Sequence, residues 1–494
     1  MTEKMNKIVF FLFRKKNLFF LFFISVSILS FPFLEADPDA NLSLSRDAFT
    51  DEGLNTSQIR NLVLGHTLDI KECDNFIKAP LFQTYMGGGF AIFGISLPIA
   101  RIWAFIGTFA FIALAYFRSG DLYKFTLIAA AFSIMNYVGF QYLHFSMAES
   151  MASAAILWMG IEFYGAAMHT QAGLKHWLVP ALALWICISL KNQFFYLLAV
   201  YAIWILIYAF YFKISPFSRN FYYPVIPMIL GAVAYLLLVY LPMKEAYDSI
   251  MQHQTSNRWI APQYIFQQIK LNIQSSFLHQ GMKLLFSGTL LFSIWVLILK
   301  ILEPKDPKIL LFFMLFAWVA IELHKFGIRF TPTRYVVSTV WAFASLLAMS
   351  LYLFRTQLPQ GKNRLLIPLL VLLPFVFPYI HLFKNRSYSI KEANLKMEKM
   401  TLTLQPDYII GPWAAGLSWN CDIKSVPVWK DFLNGSDFLE KYPHSILVSE
   451  EDEDDNNKAF SAKGIRIPDY SLGPDSVFIR GSKIYFQMLT SSEQ

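Results

Sequence analysis

Long apolar stretches follow one another along this chain, parted only by short polar hinges. A mostly apolar run of about 20 residues crosses a bilayer as one helix. A chain that carries many such runs satisfies its backbone in lipid only as a bundle of spanning helices. Spans are expected at about 17 to 34, 95 to 117, 125 to 144, 148 to 168, 177 to 190, 193 to 212, 221 to 242, 284 to 299, 309 to 323, 335 to 354 and 365 to 383. Composition agrees, since 55% of the 494 residues are hydrophobic and 15% are charged, where a soluble chain carries about a quarter charged residues. Disorder, a coiled coil and a disulfide-stapled secreted scaffold are excluded. Cys73, Cys187 and Cys421 form neither a CxxC pair nor a metal-ligand spacing.

Charge sets the expected topology. Lys4, Lys7, Arg14, Lys15 and Lys16 precede the first apolar run, and its exit through Pro32, Glu35 and Asp37 lacks a small-x-small cleavage pattern. It reads as an uncleaved first span with the N-terminus inside. Eleven spans then place Arg118, Lys124, Lys213, Arg219, Lys300, Lys305, Lys308, Arg355, Lys362 and Arg364 in inside hinges, as the positive-inside tendency requires. The chain has 29 basic and 18 acidic residues before Lys384, and 13 and 16 from there onward. The formal charge of +8 is therefore a topology signal of the membrane part, not a nucleic-acid footprint. The expected organisation is an all-α polytopic membrane domain over 1–383 with a long first external loop at 35–95. A small soluble α/β domain over 384–494 follows, with strand patterns at 445–449, 476–479 and 484–488. No internal repeat is present, and the acidic run 450–455 reads as a solvated loop, lacking the interspersed glycine of a calcium loop.

This register puts most of the informative polar residues on the outer face. Asp51 and Glu52 are adjacent acids just beyond the first span. Arg60, His66 and the Lys78-Ala79-Pro80-Leu81 element follow, then Phe93-Gly94 and Arg101 opening the second span. Met147-Ala148-Glu149 opens the fourth span, Leu190-Lys191 ends the fifth, and Arg334-Tyr335 opens the tenth. This ordered set resembles the GT-C superfamily of integral-membrane glycosyltransferases, in the branch similar to protein O-mannosyltransferases and lipid A aminoarabinose transferases. Lys78-Ala79-Pro80 has one residue more than the commoner Lys-Pro spacing of that branch. The resemblance spans about residues 10 to 383 and implies a sugar donor carried on a polyprenyl phosphate, transferred with inversion at the outer membrane face.

The chemistry points the same way. Transfer from a sugar phosphate to a hydroxyl needs a base at the attacking oxygen and positive charge around the departing phosphate. Asp51 is the candidate base, with Glu52 as its alternate or as an orienting group; the competing role for Asp51 is a cap on a helix beginning near Gly53. Glu149 matches the second acidic position of the resembling family, against an acid that merely favours a helix N-terminus. Lys78, Lys191 and Arg334 are candidate phosphate ligands, each singly also explicable as a snorkelling interface residue. Arg60, His66, His324 and Arg329 are candidates to join the pocket, Tyr335 is a ligand contact or an interface aromatic, and Glu162 is assigned to structure. No Walker loop is present, because Gly87-Gly88-Gly89 lacks the following Lys-Ser or Lys-Thr; these glycines suit close helix approach or a bend. A metal is not required, although Asp51, Glu52 and a lipid phosphate can share a divalent ion.

The expectation is thus a glycosyltransferase of a bacterial inner membrane with its C-terminal domain outside. Its donor is a polyprenyl-phosphate-linked sugar, and its acceptor is an unidentified protein, lipid or envelope glycan. The rival class is a transporter or lipid-linked-sugar flippase; those often carry internal repeats and broken helix pairs. A third is an inactive member of the same fold whose C-terminal domain binds a partner. Cys73 and Cys421 fall in one oxidising compartment, where a bridge and two free thiols are both open.

Overall fold

The structure, a computed structural model, describes residues 15–38, 48–70, 72–73, 75–169, 173–249, 264–276, 282–301, 306–328, 331–354, 380, 382–428, 438–450, 461, 475–479 and 482–489. Among these, seven helices are long and apolar enough to span a membrane. They are Lys15–Phe33, Leu97–Arg118, Ala148–Met168, Asn192–Tyr211, Arg219–Ser249, Lys308–Gly327 and Thr333–Phe354. Two shorter apolar helices, Leu174–Leu190 and Leu285–Leu299, fall on expected runs. The run at 365–383 lies almost wholly outside the described residues.

The expected span at 125–144 is instead a bent pair, Gly120–Met135 and Tyr137–His144, meeting at 88°. Asn136 causes the break. Its backbone is extended (ψ 143°) and its side chain caps the second helix by accepting from the Val138 N–H, the preferred use of Asn at a helix start. Gly139 permits the fold-back, since a Cβ there would meet the Ser133 carbonyl oxygen at 1.8 Å.

Residue size decides which helices lie inside. Ala148–Met168 is rich in Ala, Ser and Gly, and small residues let helix backbones approach closely in lipid; 83% of its apolar window is buried, and for Thr333–Phe354 the share is 94%. Lys15–Phe33 and Arg219–Ser249 are 22% and 17% buried, and expose large apolar side chains such as Phe20, Ile28, Leu230 and Leu238 to the lipid. Gly87 and Gly89 give close approach within the helix Pro80–Phe93, fitting against Ile59 and Trp103.

The two ends of the bundle differ. At one, Lys15 donates to the Phe117 carbonyl at 3.2 Å, Arg118 pairs with Glu162 at 2.7 Å, and Lys308 lies over the Tyr352 ring. At the other sits the C-terminal region. There the strands Tyr408–Ile410 (β1), Lys424–Val426 (β2), Ser445–Glu450 (β3), Asp475–Ile479 (β4) and Ser482–Leu489 (β5) form one sheet ordered β2-β1-β3-β5-β4. β1 is parallel to β2 and β3, whereas β5 is antiparallel to β3 and β4. Helix Ser389–Leu404 packs on it and contributes Ile390, Ala393 and Met397 to the core. Of the acidic run, Glu450 is buried and accepts from the Trp413 indole at 2.9 Å, a correction to its reading as loop; 451–455 lie outside the described residues. Cys73 and Cys421 are buried and form no disulfide with each other.

Candidate active site

The adjacent acids of the first loop have opposite fates, because neighbours on a helix of 3.6 residues per turn point about 100° apart. Both lie on Ala48–Leu54. Glu52 turns inward, 2% exposed, and takes a two-pronged contact from Arg101 at 2.9 and 2.5 Å plus the Ser146 N–H at 2.9 Å. Arg101, fully buried, also donates to the Phe33 and Ala36 carbonyls at 2.8 and 2.7 Å. One guanidinium thus ties the first span's exit, the first loop and the second span together, the use for which Arg's planar fork is suited. Glu52 has no free oxygen to act as a base.

Asp51 faces the opposite way. Its carboxylate pairs with Arg334, with the two side chains 17% and 23% exposed, and the Arg334 guanidinium also lies 5.5 Å from the Tyr335 ring centre. The capping alternative does not describe Asp51, which stands within the helix. On the neighbouring helices Glu149, in the first turn of Ala148–Met168, pairs with Lys191, which caps the end of Leu174–Leu190. Glu149 is 1% exposed and its second oxygen, Oε2, accepts no hydrogen bond among the described residues. Lys78 closes the short helix Asn75–Lys78, whose Ile77 packs on Ala246 and Tyr247. The Tyr247 hydroxyl accepts from Asn192 at 3.4 Å, which brings that helix to the flank of Lys191.

Sequence reasoning passed over one group here. Glu322 is fully buried and accepts from Lys325 at 2.7 Å, Trp318 at 3.0 Å and Thr339 at 2.8 Å, and from the Tyr196 hydroxyl. Lys325 donates onward to Ser338 and, at 3.2 Å, to the Tyr335 carbonyl. This network fixes the start of the helix that carries Arg334. The signal was available, since two ionisable residues at the end of an apolar run rarely face lipid.

Two expected pocket residues lie elsewhere. Arg60, 1% exposed, points away from Asp51 and spends its donors on the carbonyls of Ser418 (2.6 Å), Cys421 and Ile423 (3.0 Å). Burial draws its guanidinium down to about 10, which leaves it charged at neutral pH. His66 follows Arg60 to this interface, its N–H on the Asn61 carbonyl at 3.0 Å; burial, with Lys424 and Arg60 nearby, lowers it further below neutrality. His324 stays near the site, its Nδ1–H donating to the Ile321 carbonyl at 2.6 Å and its ring packing on Tyr196 at 5.1 Å. Arg329 lies outside the described residues. Glu162 pairs with Arg118 and the Trp158 indole, as a structural residue would.

Among the described residues no three His, Cys, Asp or Glu side chains come together to hold a metal ion. The acids that a divalent ion would draw on, Asp51 and Glu149, are each held by a cation instead. The arrangement can offer two carboxylates and at least two cations to a ligand entering between the helices, provided the ligand brings an anion to exchange for the carboxylates.

No protein-family model matches the sequence, and no curated protein matches it. Solved structures do share the fold. ArnT from Cupriavidus metallidurans in the apo state superposes with a TM-score of 0.61 at 13% identity, over 95% of this chain and 98% of that one. The same protein bound to undecaprenyl phosphate gives 0.57 at 13% identity, over 96% and 98%. The oligosaccharyltransferase of Archaeoglobus fulgidus in complex with Zn and sulfate gives 0.51 at 12% identity, over 86% and 67%. The chain therefore shares the fold of ArnT along nearly its whole length.

Proposed function

We propose that this protein is an integral-membrane glycosyltransferase that moves a sugar from a polyprenyl phosphate to an acceptor hydroxyl at the outer face of the membrane, with inversion. The observation that carries the reading is the partly exposed Asp51–Arg334 pair in a chain that shares the fold of ArnT. A donor phosphate competes with the Asp51 carboxylate for Arg334. Winning that competition gives the phosphate its counter-charge and releases the base in one event. Lys191 and Lys78 supply further positive charge, and Arg's fork suits phosphate oxygens. Asp51 then accepts the acceptor's hydroxyl proton while the acceptor oxygen bonds to the anomeric carbon. The bond from that carbon to the phosphate oxygen breaks on the opposite face, and its electron pair leaves with the polyprenyl phosphate. Glu149, whose Oε2 accepts no hydrogen bond among the described residues, is the proposed partner for a sugar or acceptor hydroxyl. The ArnT structure with undecaprenyl phosphate supports the donor class by likeness of fold.

The basic hinge residues at the end away from the C-terminal region support a bacterial inner-membrane topology with the N-terminus cytoplasmic and residues from Lys384 outside. The test is transfer by the purified chain from a polyprenyl-phosphate sugar, together with mass-spectrometric comparison of envelope glycans and glycoproteins with and without the protein. Asp51→Asn should lower turnover by about 10² to 10⁴ without weakening undecaprenyl phosphate binding, because it removes the carboxylate that competes for Arg334. Near-normal transfer by that variant rejects Asp51 as the base. Donor movement across the membrane with no transfer favours a flippase instead.

A further inference from the structure

The C-terminal region meets the first loop through a buried polar interface that membrane insertion alone does not call for. Arg60 stands on Ser57–Val63, the helix directly after the one that carries Asp51. Three carbonyls, from Ser418, Cys421 and Ile423, converge on its guanidinium, with the Ser425 hydroxyl at 3.4 Å. Buried carbonyls must find donors, and only the five-donor fork of Arg reaches several at once. Next to it Asn61 forms a two-bond pair with the backbone of Ser425, donating to its carbonyl at 2.8 Å and accepting from its N–H at 3.2 Å. That pairing closes the open edge of β2, the outermost strand on its side of the sheet.

The same segment presses on the Asp51 helix itself. A Cβ on Gly53 would lie within 2.5 Å of the Ala415 carbonyl oxygen, and one on Gly416 would meet the Phe49 carbonyl at 2.9 Å. Phe49 packs edge-on against Trp413. The two short helices are locked to each other as well. The Asn55 N–H and side-chain amide both donate to the Asp51 carbonyl at 2.8 Å, and the Thr56 hydroxyl donates to that of Glu52 at 2.9 Å. From behind, Asn394 holds the pressing segment by donating to the Gly416 carbonyl at 3.2 Å and accepting from the Trp419 N–H at 2.9 Å.

We infer that the C-terminal region is a clamp that sets the position of Asp51, with Arg60 as its positioning residue and Gly53 as the contact through which it acts. This rests on the glycosyl-transfer reading for its effect on turnover, but the clamp itself is testable without it. A misplacement of about 1 Å at a reacting group costs roughly a hundredfold in rate. Arg334 and Lys191 stand on membrane helices, so donor capture is largely spared.

The experiment uses the full chain in lipid nanodiscs, with Arg60→Met, Arg60→Lys, Gly53→Ala and the milder Gly416→Ala, and Lys441→Ala at the exposed rim of the same interface as control. Hydrogen exchange is followed in the segment 48–63 and in 148–168, and kcat, donor KM and undecaprenyl phosphate binding are measured per folded molecule. The expected result is faster exchange confined to 48–63 and a kcat lower by about ten- to a hundredfold. Donor KM and undecaprenyl phosphate binding should stay within about threefold, with partial recovery in Arg60→Lys and no change in Lys441→Ala. Unchanged exchange in 48–63 for both Arg60→Met and Gly416→Ala overturns the clamp. Faster exchange with wild-type kcat overturns its role in positioning, as does a loss of kcat and binding in the same proportion. A wild-type chain that transfers no sugar fails the glycosyl-transfer reading alone, and the exchange measurement then still decides the clamp.

Discussion

At the scale of single residues, the proposed chemistry rests on the separation of Asp51 from Glu52. The sequence showed two adjacent acids, with Asp51 as the candidate base and Glu52 as its alternate or an orienting group. What divides them is Arg101, distant in sequence, which claims both oxygens of Glu52 and leaves Asp51 facing Arg334. A local pattern cannot announce such a partner, although it did place Arg101 at the head of the second span. Removing one member of a buried ion pair strands the other charge, which costs about 3 to 5 kcal/mol. Arg101→Met should therefore lower the thermal unfolding temperature of the purified protein sharply, with Glu52→Gln milder because the Ser146 N–H still has an acceptor. Equal, small shifts in both would show the pair to be solvated and dispensable. Arg60 was misjudged from sequence for the same reason: a cation in an external loop looks like a ligand contact until the carbonyls of residues 418 to 423 are folded against it.

At the scale of elements, hydropathy located the apolar helices because lipid imposes length and composition locally; short β-type runs located β3 and β4, and alternation located β5. β1 and β2 escaped, being three residues each and defined by their neighbours in the sheet. The bend at Asn136 also escaped, since one capping side chain outweighs an otherwise continuous apolar pattern. Helix Ser389–Leu404 shows a related device. Its own N-cap residue, Tyr388, makes no side-chain cap. Asp37, from the exit of the first span, accepts instead from the Ser389 and Ile390 N–H groups, both at 2.9 Å, and from the hydroxyls of Ser387 and Ser389. An acid at a helix N-terminus also meets the favourable end of its dipole. Asp37→Ala should cost about 0.5 to 2 kcal/mol, read as a lower unfolding temperature and faster exchange at 389–393. Lys391→Ala, which breaks only the exposed pair with Glu35, should be nearly silent.

At the scale of the whole molecule, the first loop and the C-terminal region share their buried charges, and so their stability responds to pH together. Glu72, 2% exposed, sits between Lys424 at 2.8 Å and the Tyr442 hydroxyl at 3.1 Å. Burial raises its carboxyl above the ordinary value, with Lys424 and Tyr442 only partly offsetting this. The folded chain then holds this proton where the unfolded chain has released it, so stability falls as pH rises from the ordinary carboxylate range through the raised value. Glu72→Gln should flatten that slope in thermal unfolding at mildly acidic pH; a variant with the wild-type slope would place the titration elsewhere. The contact between Arg60 and Ile423 joins residues 363 positions apart, and this distance has a meaning in time as well as in space. A ribosome delivers Asp51 early and the carbonyls that fasten Arg60 only after most of the apolar helices have entered the bilayer. Until then Asp51 rides on an unfastened loop, so under the function proposed above a nascent or truncated chain would anchor in the membrane beside its donor and still leave it untouched.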